Sequence, residues 1–306
     1  MPNRIQQLLD VEIPVIQAPM TYIARAGLAS AVSEAGALGV IETISPEGRA
    51  DLARMRDLTD KPFAANLLVA GWKHDPSIVD TIAASGAPVV TTSAGDPGLF
   101  VDPLHEHGIT VLHVVGSLRA AQKAVAAGVD GLIVEGVEGG GFKGVHGAST
   151  LVLLPLIASQ VELPVVAAGG ICDAASAAAA VVLGAEGVQM GTRMLATHEA
   201  GVHENFKRAI TDADDAATVL ISVPGNPTMR VLRNDLSTRA ASGDVDHKLL
   251  QRITELYFDG DMEASVANTG QVSARISDLQ AAADVVRETW LGALGSLDAA
   301  RSRLAG

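Results

Sequence analysis

The sequence predicts a (β/α)₈ barrel, the TIM barrel fold, with a smaller and mostly helical C-terminal region over the barrel mouth. One observation is a recurring unit, in which an alanine-rich helical segment leads through a glycine into an apolar strand. The other is that eight strand candidates fall within the first 192 residues. Strict alternation of strands and helices indicates a parallel sheet with right-handed crossovers. Eight units favour a closed barrel, and an open doubly wound sheet is the alternative.

The strand candidates are short apolar runs, as expected of parallel strands that helices bury on both faces. They lie at residues 13–18, 37–40, 63–68, 87–90, 109–112, 129–134, 164–167 and 185–188. Helical segments separate them at residues 26–35, 46–57, 76–85, 98–107, 118–127, 150–160 and 174–183.

The repeating pattern ends near residue 215. We therefore expect a barrel over residues 1–215 and a smaller α-rich lid or substrate region over 216–306. Within that region, residues 246–258 have a helical pattern, and residues 280–304 predict a terminal amphipathic helix or helix pair.

Composition narrows the function classes. The formal net charge is −13, which argues against nucleic acid and against anionic membrane surfaces as partners. The single cysteine, Cys172, excludes an internal disulfide framework and fits a reducing compartment. No uncharged apolar run approaches the ~20 residues of a membrane span, and the N-terminus lacks a signal-peptide core. The sequence predicts a cytoplasmic protein with a small-molecule substrate.

Two glycine turns are the most informative local feature. Residues 165–171 (VVAAGGI) and 187–193 (GVQMGTR) are apolar strands that each end in glycine, one βα unit apart. Glycine lets backbone N–H groups approach a ligand closely, and such groups beside a helix N-terminus bind anions. Paired turns after the last two strands of a barrel form a common phosphate site. They predict a phosphorylated cofactor at this point.

The other predicted strand ends are polar but carry few charges. Asn66, His113 and Glu135 each end a strand, and a glycine-rich loop follows at residues 136–147. The sequence has no cluster of metal ligands, no G-x-S-x-G motif and no P-loop at these ends. A large planar cofactor with a phosphate tail fits this set of residues better than a metal does.

Several segments in order resemble the nitronate monooxygenase (2-nitropropane dioxygenase) family of FMN-dependent TIM-barrel oxidoreductases. These are residues 14–20 (PVIQAPM), 61–66 (KPFAAN), 91–97 (TTSAGDP), the loop after Glu135, and the two glycine turns. Related families are FMN-dependent enoyl-ACP reductases and NADH:quinone reductases. The resemblance covers nearly the whole chain and implies FMN as the cofactor.

The resemblance also implies roles for single residues. Met20 would lie against the flavin ring, Asn66 at its edge and Glu135 near the ribityl chain. The two glycine turns would hold the phosphate. The full set of expected cofactor-binding residues is Ala18, Pro19, Met20, Asn66, Glu135, Gly140, Gly141, Ala168, Gly169, Gly170, Gln189, Met190, Gly191 and Thr192.

Phe142 departs from the family pattern. In many members of the family that this chain resembles, a histidine at this position acts as a base or supports an enoyl reductase pocket, and phenylalanine can do neither. Lys143 and His146, in the same loop, are the candidate catalytic residues.

Three functions stay open. The first is oxidation of alkyl nitronates with O₂. The second is NAD(P)H-dependent reduction of enoyl thioesters or quinones, and the third is flavin binding without turnover. The resemblance also implies a homodimer.

Overall fold

The computed structural model describes residues 2–144, 147–222, 227–244 and 249–305. These residues form strands β1 (Val15–Gln17), β2 (Gly39–Glu42), β3 (Phe63–Leu68), β4 (Val89–Ser93), β5 (Thr110–Val115), β6 (Gly131–Glu135), β7 (Gly141–Phe142), β8 (Val165–Ala168), β9 (Gly187–Met190), β10 (Thr218–Ile221) and β11 (Met229–Leu232).

The helices are α1 (Arg4–Leu9), α2 (Ala26–Glu34), α3 (Pro46–Ala53), α4 (Met55–Leu58), α5 (Val69–Trp72), α6 (Ile78–Ser85), α7 (Val101–Glu106), α8 (Leu118–Ala126), α9 (Thr150–Ala158), α10 (Ala174–Val182), α11 (Thr192–Leu195), α12 (Glu204–Thr211), α13 (Asp235–Ala241) and α14 (Ala282–Ala305). Shorter helical turns lie at Pro97–Leu99, Glu255–Asp259 and Gln271–Arg275.

Eight parallel strands form the barrel in the order β1-β9-β8-β6-β5-β4-β3-β2. The ring closes between the two outer strands of this order. Ile16 pairs in parallel with Leu38, and the Leu38 amide donates to the Val15 carbonyl at 2.9 Å. The predicted (β/α)₈ barrel is confirmed, and closure excludes the open sheet.

Helix α1, which the sequence reading did not predict, closes the bottom of the barrel. Asn3 caps it in a capping box with Gln6. Its buried Ile5 and Leu9 pack against the inward-facing residues of the strands, among them Ile16. This packing leaves the carboxyl ends of the strands as the open mouth.

The C-terminal region, predicted to be mostly helical, contains strands as well as helices. Strands β10 and β11 form an antiparallel hairpin, and β11 also pairs with β7 of the glycine-rich loop. The last helix packs against α10 and α2 in the outer layer of the barrel. The Glu199 carboxylate accepts a hydrogen bond from the Ala282 N–H at 2.9 Å, at the start of that helix. The region over 216–306 therefore contributes both to the mouth and to the barrel wall, and its boundary near residue 215 stays a prediction.

Candidate functional site

A cavity of about 420 Å³ opens at the carboxyl ends of the barrel strands. This volume falls within the roughly 300–1,000 Å³ typical of small-molecule sites. Most of the predicted site residues lie on its wall: Ala18, Pro19, Met20, Asn66, Glu135, Gly140, Gly141, Lys143, Ala168, Gly169, Gly170, Gln189, Gly191 and Thr192. The fold brings them together, and their individual roles stay predictions.

The first glycine turn follows β8 and needs glycine for two reasons. Gly169 and Gly170 have φ angles of +78° and +82°, in the left-handed region that favours glycine. A Cβ atom on Gly169 would also lie 2.9 Å from the Gly136 carbonyl oxygen and 3.1 Å from the Gly139 nitrogen. The turn is therefore packed directly against the glycine-rich loop after β6.

The second turn follows β9, where Gly191 precedes the short helix α11. Within the described ranges, the backbone N–H groups of Gly169, Gly170, Gly191 and Thr192 donate no hydrogen bond to another backbone group. The buried Gln189 Oε1, on the same wall, also has no hydrogen-bond partner among those residues. Buried polar groups are normally satisfied, so these groups fit a polar ligand such as a phosphorylated cofactor.

Asn66 is held in place by the neighbouring strand. Its Nδ2 donates to the carbonyl oxygen of Thr91 at 2.9 Å and to the Thr91 hydroxyl at 3.0 Å. The two residues pair across β3 and β4. With the amide nitrogen so engaged, the carbonyl end of the side chain is the part that can address a ligand.

Lys143 and Glu135 form an ion pair in the cavity wall. The Lys143 Nζ donates to Glu135 Oε1 at 2.5 Å. The lysine side chain is 4% exposed and the glutamate side chain 25%. The backbone N–H of Lys143 also donates to the Thr228 carbonyl, which ties the loop to the hairpin. An ammonium group bound to a carboxylate is suited to holding charge rather than to removing a proton.

Glu138 anchors the glycine-rich loop from the other side. Both of its carboxylate oxygens accept from the Thr150 N–H at 3.0 Å, at the start of α9. The Thr150 hydroxyl in turn donates to the Gly169 carbonyl at 2.7 Å. The buried Arg230 donates to the Val137 carbonyl at 2.8 Å. Burial lowers the pKa of Arg230, and the nearby Glu138 carboxylate opposes that shift.

One predicted cofactor-binding residue does not contribute its side chain to the cavity. Met190 faces outward, where its sulfur lies 3.8 Å from the Thr289 hydroxyl of α14. Successive side chains of a strand point to opposite faces, so Gln189 faces the cavity and Met190 does not. His146 lies outside the described residues. Its proposed catalytic role stays a prediction.

His113 and Cys172 are buried away from the cavity wall. His113 bonds to the Thr92 hydroxyl at 2.8 Å. Burial lowers its pKa to about 4, although Asp96 and Thr92 act in the opposite direction. Burial likewise raises the pKa of the Cys172 thiol to about 11. The neutral imidazole and the protonated thiol serve packing rather than catalysis.

We expect His113 to make stability depend on pH. Its folded pKa of about 4 lies below the ordinary 6.5, so the unfolded chain binds the extra proton between these values. Stability from this residue is present above pH 6.5 and is lost as the pH falls towards 4. The loss between pH 7 and pH 5 is roughly 2 kcal/mol. Urea unfolding at pH 7 and pH 5 measures this loss of unfolding free energy. His113→Gln should abolish the contribution of roughly 2 kcal/mol, and the control His74→Gln, at an exposed histidine, should leave it unchanged.

Part of the cavity wall consists of residues that were not predicted from the sequence. Tyr257 and Asn268 line the cavity from the C-terminal region, together with Gly270, whose N–H donates to the Thr192 hydroxyl at 2.9 Å. The phenylalanine of the loop, Phe142, is 42% exposed at the mouth. Of these segments, residues 270–272 (GQV) resemble part of the family named above, although the expected cofactor-binding set did not include them.

Within the described part of the chain, no helix combines the length and the apolarity that crossing a membrane requires. The cytoplasmic location and the homodimer stay predictions.

Comparison with known proteins gives the family. A family model described as nitronate monooxygenase matches residues 3–77 and 71–291. The chain belongs to the nitronate monooxygenase family. The family and the named relatives are oxidoreductases, so the predicted enzyme class is confirmed.

Relatives of this chain carry several names. A nitronate monooxygenase of Pseudomonas aeruginosa is 31% identical over 293 residues, covering 80% of this chain and 84% of that protein. A (3aS,4S,5R,7aS)-5-hydroxy-7a-methyl-1-oxo-octahydro-1H-indene-4-carboxyl-CoA dehydrogenase of Mycobacterium tuberculosis is 35% identical over 246 residues, which cover 78% of this chain and 68% of that protein.

Among solved structures, FabK from Thermotoga maritima superimposes with a TM-score of 0.92 at 32% identity, over 99% of both chains. Nitroalkane oxidase from Streptomyces ansochromogenes gives a TM-score of 0.80 at 28% identity, over 96% of this chain and 99% of that one. The family is clear, and the proteins similar to this chain carry different names.

Proposed function

We propose that this protein is an FMN-dependent oxidoreductase that oxidises alkyl nitronates and passes the electrons to O₂. The main support is the cavity, where the N–H groups of two glycine turns donate to no backbone acceptor among the described residues. The chain that carries this cavity belongs to the nitronate monooxygenase family. The similarity to a nitronate monooxygenase over 84% of that protein's length points the same way.

The residues of this chain would hold the cofactor at its anionic end. The N–H groups of Gly169, Gly170, Gly191 and Thr192 would donate to the phosphate, helped by the start of α11. Gln189 and Asn66 would present amide groups to the polar edges of the flavin. Bound FMN would supply the two-electron redox chemistry, and the protein would orient it and limit access of water.

The loop after β6 favours a substrate that is already an anion. Phe142 cannot accept a proton, and the Lys143 ammonium is paired with Glu135. A nitronate has lost its α-proton before it binds, so its oxidation needs no base from the protein. A neutral nitroalkane needs one, and His146 is the remaining candidate in this loop.

A second candidate is an NAD(P)H-dependent FMN reductase of enoyl thioesters or quinones. The similarity to a CoA dehydrogenase at 35% identity and to FabK at a TM-score of 0.92 favours it. This function also needs no base at position 142, because reduced nicotinamide supplies a hydride and water can supply the proton that completes the reduction.

Anaerobic mixing of the FMN-loaded protein with candidate reductants separates these functions. We expect ethylnitronate to bleach the flavin absorbance within seconds to minutes, and neutral nitroethane to leave it unchanged. In Phe142→His, nitroethane should also become a reductant, because a base is restored to the loop. If NADPH or NADH bleaches the flavin and ethylnitronate does not, the proposed nitronate oxidation is wrong and the reductase function is supported.

A further inference from the structure

Tyr257 is a rigidly held tyrosine in the cavity wall. It is 2% exposed, and its ring stacks on Phe206 with centroids 5.3 Å apart and meets Phe258 edge-on at 6.3 Å. Its backbone carbonyl accepts from the His203 N–H at 2.7 Å. With the ring fixed on both sides, the hydroxyl has a defined position.

The Tyr257 hydroxyl is available as a hydrogen-bond donor. Its oxygen accepts from the Asn268 backbone N–H at 3.3 Å. In the part of the chain that the structure covers, no acceptor receives its proton. Burial raises the pKa of Tyr257 to about 12, and the nearby Tyr22 adds to the shift. The hydroxyl therefore keeps its proton throughout the physiological range.

The Asn268 side chain is the second polar group at this point. Its Oδ1 is buried and has no hydrogen-bond partner among the described residues. The residue is fixed by a bridge to Val231, and its amide lies under Gly141, where a Cβ atom would be 3.6 Å from Asn268 Cγ. Oδ1 can only accept a hydrogen bond, so the group of this side chain that can donate to an oxygen of a ligand is Nδ2, in a residue that lines the cavity.

We propose that Tyr257 and Asn268 form a subsite that binds an oxygen atom of the substrate, one that carries delocalised negative charge during the reaction. This rests on the proposed function in one respect, that the cavity is the site of an oxidoreductase. Two substrates share the required chemistry: the oxygen of a nitronate and the carbonyl oxygen of an enoyl thioester. A neutral phenol and an amide nitrogen donate to either oxygen without adding a charge to the cavity.

The sole lysine among the described cavity residues does not replace this subsite. Lys143 is neutralised by Glu135, and Glu138 is engaged by Thr150. Charge in the wall is thus already balanced by the protein. To bind Lys143, a substrate oxygen would have to displace the Glu135 carboxylate from the ammonium group. Uncharged donors such as a phenol and an amide bind the oxygen without breaking that ion pair.

The test measures binding of two non-reacting probes to the FMN-loaded, oxidised protein by calorimetry. Nitrate represents the planar oxyanion of a nitronate, and crotonyl-CoA without nicotinamide represents a thioester carbonyl. The variants are Tyr257→Phe and Asn268→Ala. The control is Asn3→Ala, which removes an amide from the N-cap of α1, at the end of the barrel opposite the cavity. Thermal unfolding and the FMN dissociation constant report whether each variant keeps its fold and cofactor site.

For the probe that binds, we expect Tyr257→Phe to raise the dissociation constant about 10-fold for the anion, or about 3-fold for the neutral carbonyl. Asn268→Ala should have a similar effect, and Asn3→Ala should have none. The probe that loses affinity identifies the source of the oxygen. If neither probe binds the wild type, or if Tyr257→Phe binds as the wild type does, the subsite is refuted.

A loss confined to FMN affinity, with probe binding unchanged, also refutes the subsite, because the pair would then serve the cofactor. Failure of the proposed function gives a different pattern. Ethylnitronate would leave the flavin oxidised, while Tyr257→Phe would still weaken probe binding. The two ideas therefore fail separately.

Discussion

Replacement of Gly169 by alanine is expected to weaken FMN binding about 100-fold or more. The residue has a φ of +78°, and an added Cβ would lie 2.9 Å from the Gly136 carbonyl oxygen and 3.1 Å from the Gly139 nitrogen. All of these neighbours are backbone atoms, so the turn itself must move. Misplacing two charge-assisted N–H contacts to a phosphate costs about 3 kcal/mol, which corresponds to that factor.

Gly108→Ala is the matched control for this change. Gly108 has a φ of +72°, but no atom lies within 4 Å of an added Cβ. It should lose about 1 kcal/mol of unfolding free energy through backbone strain alone and should keep wild-type FMN affinity. Fluorescence titration of the apoprotein with FMN measures both variants. Equal FMN affinity in the two would show that the turn after β8 does not hold the phosphate.

The barrel was predictable because its strands are short apolar runs, most of them next to a glycine and followed by a helix. That pattern depends only on local burial and chain direction, so it is visible in one sequence. Helix α1 was missed because six residues carry too little periodicity. Residues 219–223 are a strand-like run that indicates β10, but β11 and the pairing with β7 were not predicted, because that pairing joins segments far apart in the chain.

The sequence predicted which strand ends would meet at the cavity, while the roles of those residues stay predictions. Strand ends such as Asn66 and Glu135 meet at one edge of a parallel barrel, so their positions follow from the fold. Met190 was placed on the wrong face, since side-chain alternation along β9 directs it to α14. Tyr257 and Asn268 could not be found in this way, because they reach the cavity through irregular segments whose course depends on tertiary packing.

The ion pair of Lys143 and Glu135 should respond unequally to removal of either partner. Glu135→Gln leaves an ammonium group whose side chain is only 4% exposed, without its counter-charge. Lys143→Met leaves a carboxylate whose side chain is 25% exposed and can gain water. We expect a loss of about 3 kcal/mol in unfolding free energy for the first change and about 1–2 kcal/mol for the second.

The double variant Glu135→Gln/Lys143→Met leaves no unpaired charge, so it should be more stable than Glu135→Gln alone. Urea unfolding of all four proteins completes the cycle and gives the coupling between the two residues. If the losses from the single changes simply add in the double variant, the pair contributes no direct interaction. A coupling energy of more than about 1 kcal/mol would argue against Lys143 as the catalytic base. To accept a proton from a substrate, Lys143 would first have to separate from Glu135 and lose that energy.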